Sequence, residues 1–244
     1  MSHRRESSFP KGNTKKALEK IRSTLAWRNE FQVDRIVHCT QKGGDEEFRQ
    51  IMAHETEVGK MYVRGYDKDG RVLLYMRGDR EQTHDETNNM RHLVWNMEKA
   101  IACTNRKSKQ LGKSKVGLEK FIMIQDFTNF SLATAPPMSV SKHTLKILQS
   151  HYPGRVKTIY CFNAPFMFKV FWTLVKPFVD QATKDTIVFV SNTADMAKFH
   201  QIFDRCDELE EVTGGTAVDK LAEWDSKVYV NLPFDVAFDE KDVH

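Results

Sequence analysis

Residues whose types could carry chemistry are scattered along this chain, and each arrangement stops short of a working catalytic site. Gly112-Lys113-Ser114 has the ending of a phosphate-binding loop, in which backbone amides cradle the phosphates and the lysine reaches the outermost one. Lys107, however, stands where the opening glycine must be. Asp67, Asp69 and Gly70 have the spacing of a calcium loop, but Gly65 and Met76 occupy the first and last positions, where oxygen ligands are needed. His38 and Cys39 are adjacent, and sequence neighbours do not by themselves make a base–nucleophile dyad. No Gly-x-Ser-x-Gly nucleophile elbow occurs. The nine histidines show no ligand spacing, although His143, His151 and His200 lie on segments that could converge, which keeps a haem-binding pocket as a minor option. Cys39, Cys103, Cys161 and Cys206 lie far apart in apolar contexts and read as reduced core residues. Arg77-Gly78-Asp79 and Asn129-Phe130-Ser131 match adhesion and glycosylation patterns that have meaning only in a secreted chain, and MSHRRESSFP contains no secretory apolar run. The expectation is a protein without catalytic residues, metal or cofactor, other than whatever ligand it binds.

The segment with unusual physical character is apolar. In Pro165–Phe178, PFMFKVFWTLVKPF, Pro165 suits a first helical turn, Asn163 is close enough to help cap it, and Pro177 lacks the amide hydrogen to continue it. Lys169, Thr173 and Lys176 recur at i, i+4 and i+7 and share one narrow stripe. Phe166, Met167, Phe168, Val170, Phe171, Trp172, Leu174 and Val175 cover the rest of the circumference, more than a helix lying on a sheet normally buries. Such a helix is either deep in a core or has a second apolar face that meets another apolar phase. Aromatic residues with flanking lysines fit an interfacial position.

The elements that would position this helix are legible from periodicity. Leu18, Ile21 and Leu25 mark a helix over Thr14–Arg28. Met61–Val63 and Val72–Met76 read as strands joined by a turn whose Asp69-Gly70 step is a hairpin signal. Met90, Leu93, Val94, Met97 and Ile101 form the clearest amphipathic helical stripe. A buried strand follows at Phe121–Ile124, a helix at Ser139–Gln149, a strand at Thr158–Phe162, the apolar helix from Pro165 to Lys176, and a strand at Thr186–Val190. A helix near Met196–Phe203 and a last strand at Val228–Asn231 complete the pattern. Strands alternating with helices imply an α/β sheet with parallel pairings.

Length and composition agree with one sizeable domain: 244 residues, 40% hydrophobic and 29% charged. No stretch reaches the roughly 18 apolar residues of a membrane span. The net charge of +4 is too mild to imply nucleic acid, but it is uneven. Residues 1–20 carry all of that sum, Arg106, Lys107, Lys109, Lys113 and Lys115 form an acid-free run, and the end of the chain is acidic. Basic segments of this strength suit transient attraction to anionic lipid surfaces.

Together these residues resemble the CRAL-TRIO proteins, a family that includes phosphatidylinositol/phosphatidylcholine transfer proteins and tocopherol- and retinaldehyde-binding proteins. The resemblance runs from Ala26-Trp27-Arg28 through Asp67-Lys68-Asp69-Gly70-Arg71 and Ile124-Gln125-Asp126. It is most specific at Tyr152-Pro153-Gly154-Arg155, Asn163-Ala164-Pro165, Lys176-Pro177-Phe178 and Gly214-Gly215. It implies an α/β CRAL-TRIO fold in which a short N-terminal helical portion precedes a mixed sheet, and that sheet forms a lipid pocket closed by a gate helix. The implied organisation is a helical segment at 1–60, shorter than the family norm, a lipid-binding domain at 61–232 and an acidic tail at 233–244.

By the same resemblance, Phe121, Met123, Gln125, Tyr152, Gly154 and Thr186 line the pocket. Phe166, Phe168, Phe171, Trp172, Leu174, Val175 and Phe178 form the gate and membrane contact. Phosphatidylinositol-binding members carry two hydroxyl residues, a glutamate and a lysine where this chain has Phe121, Met123, Gly154 and Thr186. A buried phosphate without charge-assisted hydrogen bonds is several kcal/mol unfavourable. The expected cargo is therefore a sterol, isoprenoid or other weakly polar lipid rather than phosphatidylinositol. The expected setting is cytoplasmic with peripheral, transient membrane association. A competing reading keeps the pocket but makes the chain a lipid-sensing module that presents lipid to an unidentified protein partner without bulk transfer.

Overall fold

The computed structural model describes residues 14–82, 85–112, 119–133, 135–204, 206, 209, 211–214 and 224–238. Its helical N-terminal part comprises α1 (Thr14–Glu30), α2 (Val33–His38) and α3 (Glu46–Thr56). The sheet then begins with the hairpin β1 (Met61–Tyr66) and β2 (Val72–Arg77). Gly70 supplies the positive φ of 85° that the connecting turn requires. The turn's carboxylates are engaged within the protein: Asp67 Oδ1 accepts from the amides of Asp69 and Arg71, and Arg71 Nη1 bonds both Asp67 and Asp69. That arrangement closes a hairpin rather than a calcium loop.

Three crossovers follow. The long helix α4 (Glu86–Gln110) leads to β3 (Phe121–Asp126), α5 (Met138–His151) leads to β4 (Val156–Phe162), and α6 (Phe168–Val175) with the short α7 (Gln181–Lys184) leads to β5 (Ile187–Val190). The strand order is β1-β2-β3-β4-β5, antiparallel at the first pair and parallel in the rest. Because order increases monotonically and parallel crossovers are right-handed, the crossover helices fall on one face of the sheet. On that crossover face Val63, Leu74, Phe121 and Met123 pack with Met90, Leu93, Val94 and Met97 of α4 and with Ile147 and Tyr152 at the end of α5. On the opposite face Tyr62, Leu73, Tyr75, Ile122, Ile124 and Phe162 pack with α2 and α3, with Phe199 of α8 (Thr193–His200) and with Tyr229 of α9 (Ser226–Asn231).

Four sequence expectations need correction. Val228–Asn231 is helical, not a strand. Asp225 Oδ1 accepts from the amides of Lys227 and Val228, which starts α9, and the edge of β1 that a further strand would use is instead paired with Phe238. The chain from Pro233 to Phe238 is no loose tail: Val236 and Ala237 are buried and the Phe238 amide donates to Val63 O, so the domain's packing continues past residue 232. The apolar helix expected to begin at Pro165 starts instead at Phe168, since residues 165–170 are joined by i to i+3 bonds characteristic of tighter turns. Asn163 does not cap it, because that residue sits in the left-handed region at φ 55° and turns its side chain elsewhere. Residues 113–118 and the chain beyond 238, which hold the end of the basic run and of the acidic segment, lie outside the described residues, as do residues 1–13 and Gly215.

Candidate functional site

The α6 helix is held at both ends by polar contacts and in the middle by aromatic rings. At its entrance, Asp126 Oδ1 at the end of β3 accepts from the Thr128 amide, from Thr128 Oγ1 and from Asn163 Nδ2, each within 3.0 Å. Arg77 Nε lies 3.6 Å from the other Asp126 oxygen. The residue just before Ala164-Pro165 is thereby tied to the ends of β2 and β3, with Asn tolerating the left-handed conformation the turn imposes. At the exit, α6 passes into a 3-10 turn, Lys176–Phe178, in which Pro177 prevents α-helical continuation. Gln149 of α5 secures that turn, donating to Phe178 O and accepting from the Asp180 amide.

Between these ends the apolar residues of α6 and of the turns flanking it divide into two sets. The inner set is Phe168, Phe171, Trp172 and Val175, at i, i+3, i+4 and i+7. Phe168 and Val175 are buried; the Phe168 ring is tilted against Phe127 with centroids 4.1 Å apart and edge-on to Phe130 at 5.5 Å, Phe171 meets Phe130, and Trp172 lies edge-on to Phe189 of β5. These rings fill the space between α6 and the β4–β5 end of the crossover face. The outer set faces away from the sheet: Phe166 is 79% exposed, Leu174 57%, Val170 51%, Phe178 45% and Met167 40%. Lys169 Nζ lies 5.1 Å over the Phe166 ring and Lys142 Nζ 4.2 Å over the Phe178 ring, so cations border the apolar surface on both sides.

Of the six positions expected to line a pocket, Phe121, Met123 and Gln125 alternate onto the crossover face of β3, Tyr152 packs on that face from the end of α5, and Gly154 and Thr186 sit in the turns before β4 and β5. Phe121 and Met123 are buried beneath α4 and α5. Gln125, two residues further towards α6, is partly buried, and its amide reaches Met76 O at 3.4 Å. Tyr152 is buried with its hydroxyl donating to Glu98 Oε1 at 2.7 Å, and that burial beside a carboxylate raises its pKa strongly. Gly154 holds φ 70° in the turn after Tyr152, where a side chain would be strained. Thr186 satisfies its own hydroxyl by donating to Thr183 O. Cys161, paired in register with Gln125 and Phe189, has its thiol pushed up to about 12 by burial, which keeps it protonated and unreactive.

The histidines do not converge. His143 and His151 lie on α5 over the crossover face, with Glu86 and the Trp27 indole as neighbours, whereas His200 bonds Thr213 O on the opposite face. Among the described residues no group of three or more His, Cys, Asp or Glu is placed to hold a metal ion, and no helix is long and apolar enough to cross a membrane.

Sequence reasoning missed Phe127, Phe130 and Phe189, which complete the aromatic cluster; the Phe127-x-x-Phe130 spacing was the available signal. It also missed Gln149 and the role of Asp126. Nothing in one sequence indicates which distant backbone groups a glutamine or aspartate will bond.

A mixed five-stranded sheet with its crossovers on one face, and an aromatic-rich helix laid over the far edge of that face, defines the class of domain. Residues 56–215 match the CRAL/TRIO domain, and the chain belongs to that family. Among its relatives are the "Phosphatidylinositol transfer protein PDR17" of Saccharomyces cerevisiae, 29% identical over 73% of this chain and 49% of the relative, and the "SEC14 cytosolic factor" of Kluyveromyces lactis, 27% identical over 84% of this chain and 70% of the relative. A Schizosaccharomyces pombe CRAL-TRIO domain-containing protein, C23B6.04c, is 29% identical over 84% of this chain and 18% of the relative. The chain thus spans half or less of the length of some curated relatives it matches. The crystal structure of Sfh5 superposes with a TM-score of 0.62 at 18% identity, covering 85% of this chain and 69% of that one, which shows the shared fold.

Proposed function

We propose that this chain binds one hydrophobic lipid between α6 and the crossover face of its sheet and exchanges it at a membrane surface, with α6 as the gate. The observation that carries the reading is the two-sided apolar character of α6. Its inner rings cover the face where a ligand would lie, and its outer apolar side chains, bordered by lysines, suit insertion among lipid headgroups.

Partition energetics explain why the two sides belong together. Sequestering hydrocarbon is worth roughly 0.8 kcal/mol per methylene, so a chain of about sixteen carbons gains on the order of 13 kcal/mol in either a pocket or a bilayer. Release into water is correspondingly slow. When the gate opens against a membrane, the ligand passes between two apolar environments and only their difference matters. A ligand entering this site must displace Phe168, Phe171 and Trp172 as a unit. The tethers at Asn163 and Gln149 are the points about which that unit would swing.

Relatives named as phosphatidylinositol transfer proteins support a lipid cargo. The residues here support a less polar one: Phe121 and Met123 offer no hydrogen bonds, Gly154 has no side chain, and Thr186 has already placed its hydroxyl. Gln125 is then the polar side chain on this stretch of face suited to a single hydroxyl or carbonyl.

Native mass spectrometry of the purified protein, with extraction of the co-purifying lipid, tests cargo and stoichiometry together. One weakly polar lipid per chain is expected. Phosphatidylinositol in the extract would overturn the cargo assignment, and a chain that takes up no lipid from mixed vesicles would overturn the pocket.

A further inference from the structure

The strand register sets four side chains in one row that runs towards α6: Met76 of β2, Gln125 of β3, Cys161 of β4 and Phe189 of β5. Register partners in a parallel sheet share a face, and alternation puts Gln125 on the same face as Phe121 and Met123. Phe189, at the end of the row, meets Phe168 and Trp172 of the gate. A ligand that displaces those rings therefore comes to lie against this row. We propose that Gln125 selects the ligand by accepting a hydrogen bond from it. The cargo is then a lipid with a free hydroxyl, such as a sterol, an isoprenoid alcohol or a long-chain alcohol, in preference to the matching ketone or hydrocarbon. The inference rests on the lipid-binding reading above and narrows its ligand.

The direction of the Gln125 amide decides which partner it takes. Gln125 Nε2 donates to Met76 O at 3.4 Å. A backbone carbonyl only accepts, so the opposite orientation of the amide would set two acceptor oxygens against each other. The bond draws the nitrogen end towards β2. The oxygen end, which no described residue bonds, is left for a ligand. Gln125 is only partly buried, so this oxygen is not sealed into the core.

The rest of the row offers no comparable group. Met76 and Phe189 carry no strong donor or acceptor. Cys161 is buried, and with its thiol pushed up to about 12 it contributes only a weak S–H donor. Alternation turns Asp126, the neighbouring carboxylate, to the other face. A ligand hydroxyl thus finds an acceptor here, whereas a ketone oxygen meets the lone pairs of the amide oxygen. The amide's second N–H would favour a ketone, and the binding order of the two ligands decides between the two ends.

Phosphatidylcholine vesicles loaded with cholestanol, cholestanone or cholestane, and a parallel set loaded with hexadecanol, a hexadecanone or hexadecane, supply probes on matched skeletons. Incubation with the full chain, followed by mass spectrometry of the protein-bound probe, gives the order. In whichever skeleton the chain takes up, the alcohol is expected to be preferred about tenfold over both the ketone and the hydrocarbon. Gln125→Met keeps the length of the side chain and removes the acceptor oxygen. It is expected to bring that preference within about twofold of none while still taking up probe. The order in the unmodified chain tests the assignment without any variant.

Equal uptake of alcohol and ketone, with less hydrocarbon, assigns the contact to the N–H end and overturns the hydroxyl preference. Equal uptake of all three removes Gln125 from selection and leaves the lipid-binding reading standing. A preference for alcohol that survives in the Gln125 variant places the acceptor elsewhere and overturns the residue assignment. Uptake of none of the probes overturns this inference, and the lipid-binding reading falls with it only when native mass spectrometry also finds no co-purifying lipid.

Discussion

The two edges of the sheet are built on opposite principles. At the β1 edge, several polar groups are buried with partners. Tyr229 Oη accepts the Val63 amide and donates to Asn96 Oδ1, Lys99 Nζ donates to Pro233 O amid Trp95, Tyr229 and Phe234, and Arg106 Nε donates to Asp235 O. Phe238 pairs with β1, so the last described stretch straps that edge shut. At the β5 edge the reverse holds: Val188, Phe189 and the outer side chains of α6 leave apolar surface exposed, and tethering falls to a few side chains at the ends of the helix. Burial at the first edge stabilises the fold, whereas exposed apolar surface at the second contributes little to stability and remains available to another apolar phase.

The comparison breaks most readily where the expected effects are largest. Trp95→Ala, which opens a cavity between α4 and Tyr229, should destabilise by about 3–5 kcal/mol, while Leu174→Ala on the outer face of α6 should stay within about 0.5 kcal/mol. Urea unfolding of both variants measures the contrast, and similar losses would show that the two edges are not different in kind.

Tyr229→Phe is a sharper probe. It keeps the ring and removes the hydroxyl, stranding Asn96 Oδ1 and the Val63 amide, each of which should contribute to a loss of about 1–3 kcal/mol. An unchanged urea midpoint would mean that the buried polar matching at this edge is not a source of stability.

The smallest effect is in pH. His92 is fully buried, and burial together with nearby Lys60 pushes its pKa well below the ordinary 6.5. A depressed histidine leaves stability flat above its unfolded value. As pH falls below about 6.5 the unfolded chain takes up a proton that the native state refuses, so stability declines by up to about 1.36 kcal/mol per pH unit until the native value is reached. His151, half-buried against Trp27 and lowered by burial and by Lys146, acts with the same sign over a narrower range. The difference in acid slope between wild type and His92→Gln isolates the larger contribution; identical slopes would contradict it.

Much of this architecture was legible before any coordinates. Hydrophobic periodicity located α1, α4, α5, β3, β4 and β5 because each carries an apolar stripe or run, and the Asp-Gly turn located the hairpin. Val228–Asn231 misled because its valines and tyrosine have strand character, and local propensity carries no information that β1 is already paired by Phe238. At the site, the sequence identified α6 as apolar on all sides but treated its residues as one gate. Only the packing separated Phe168, Phe171, Trp172 and Val175, which face the sheet, from Phe166, Met167, Val170, Leu174 and Phe178, which do not.

What the sequence supplied alone is therefore much of the inventory: most of the strands and crossover helices, the missing opening glycine of the phosphate-loop pattern, and one helix that carries more apolar surface than a single contact can cover. Tertiary structure decided the pairings. Asp126 with Asn163, Gln149 with the backbone after Pro177, and Phe189 with Trp172 are each brought together by the sheet order and crossover handedness. Periodicity is a property of neighbouring residues, set by backbone geometry. Contacts between residues tens or more than a hundred positions apart depend on how whole elements stack, which no local pattern encodes.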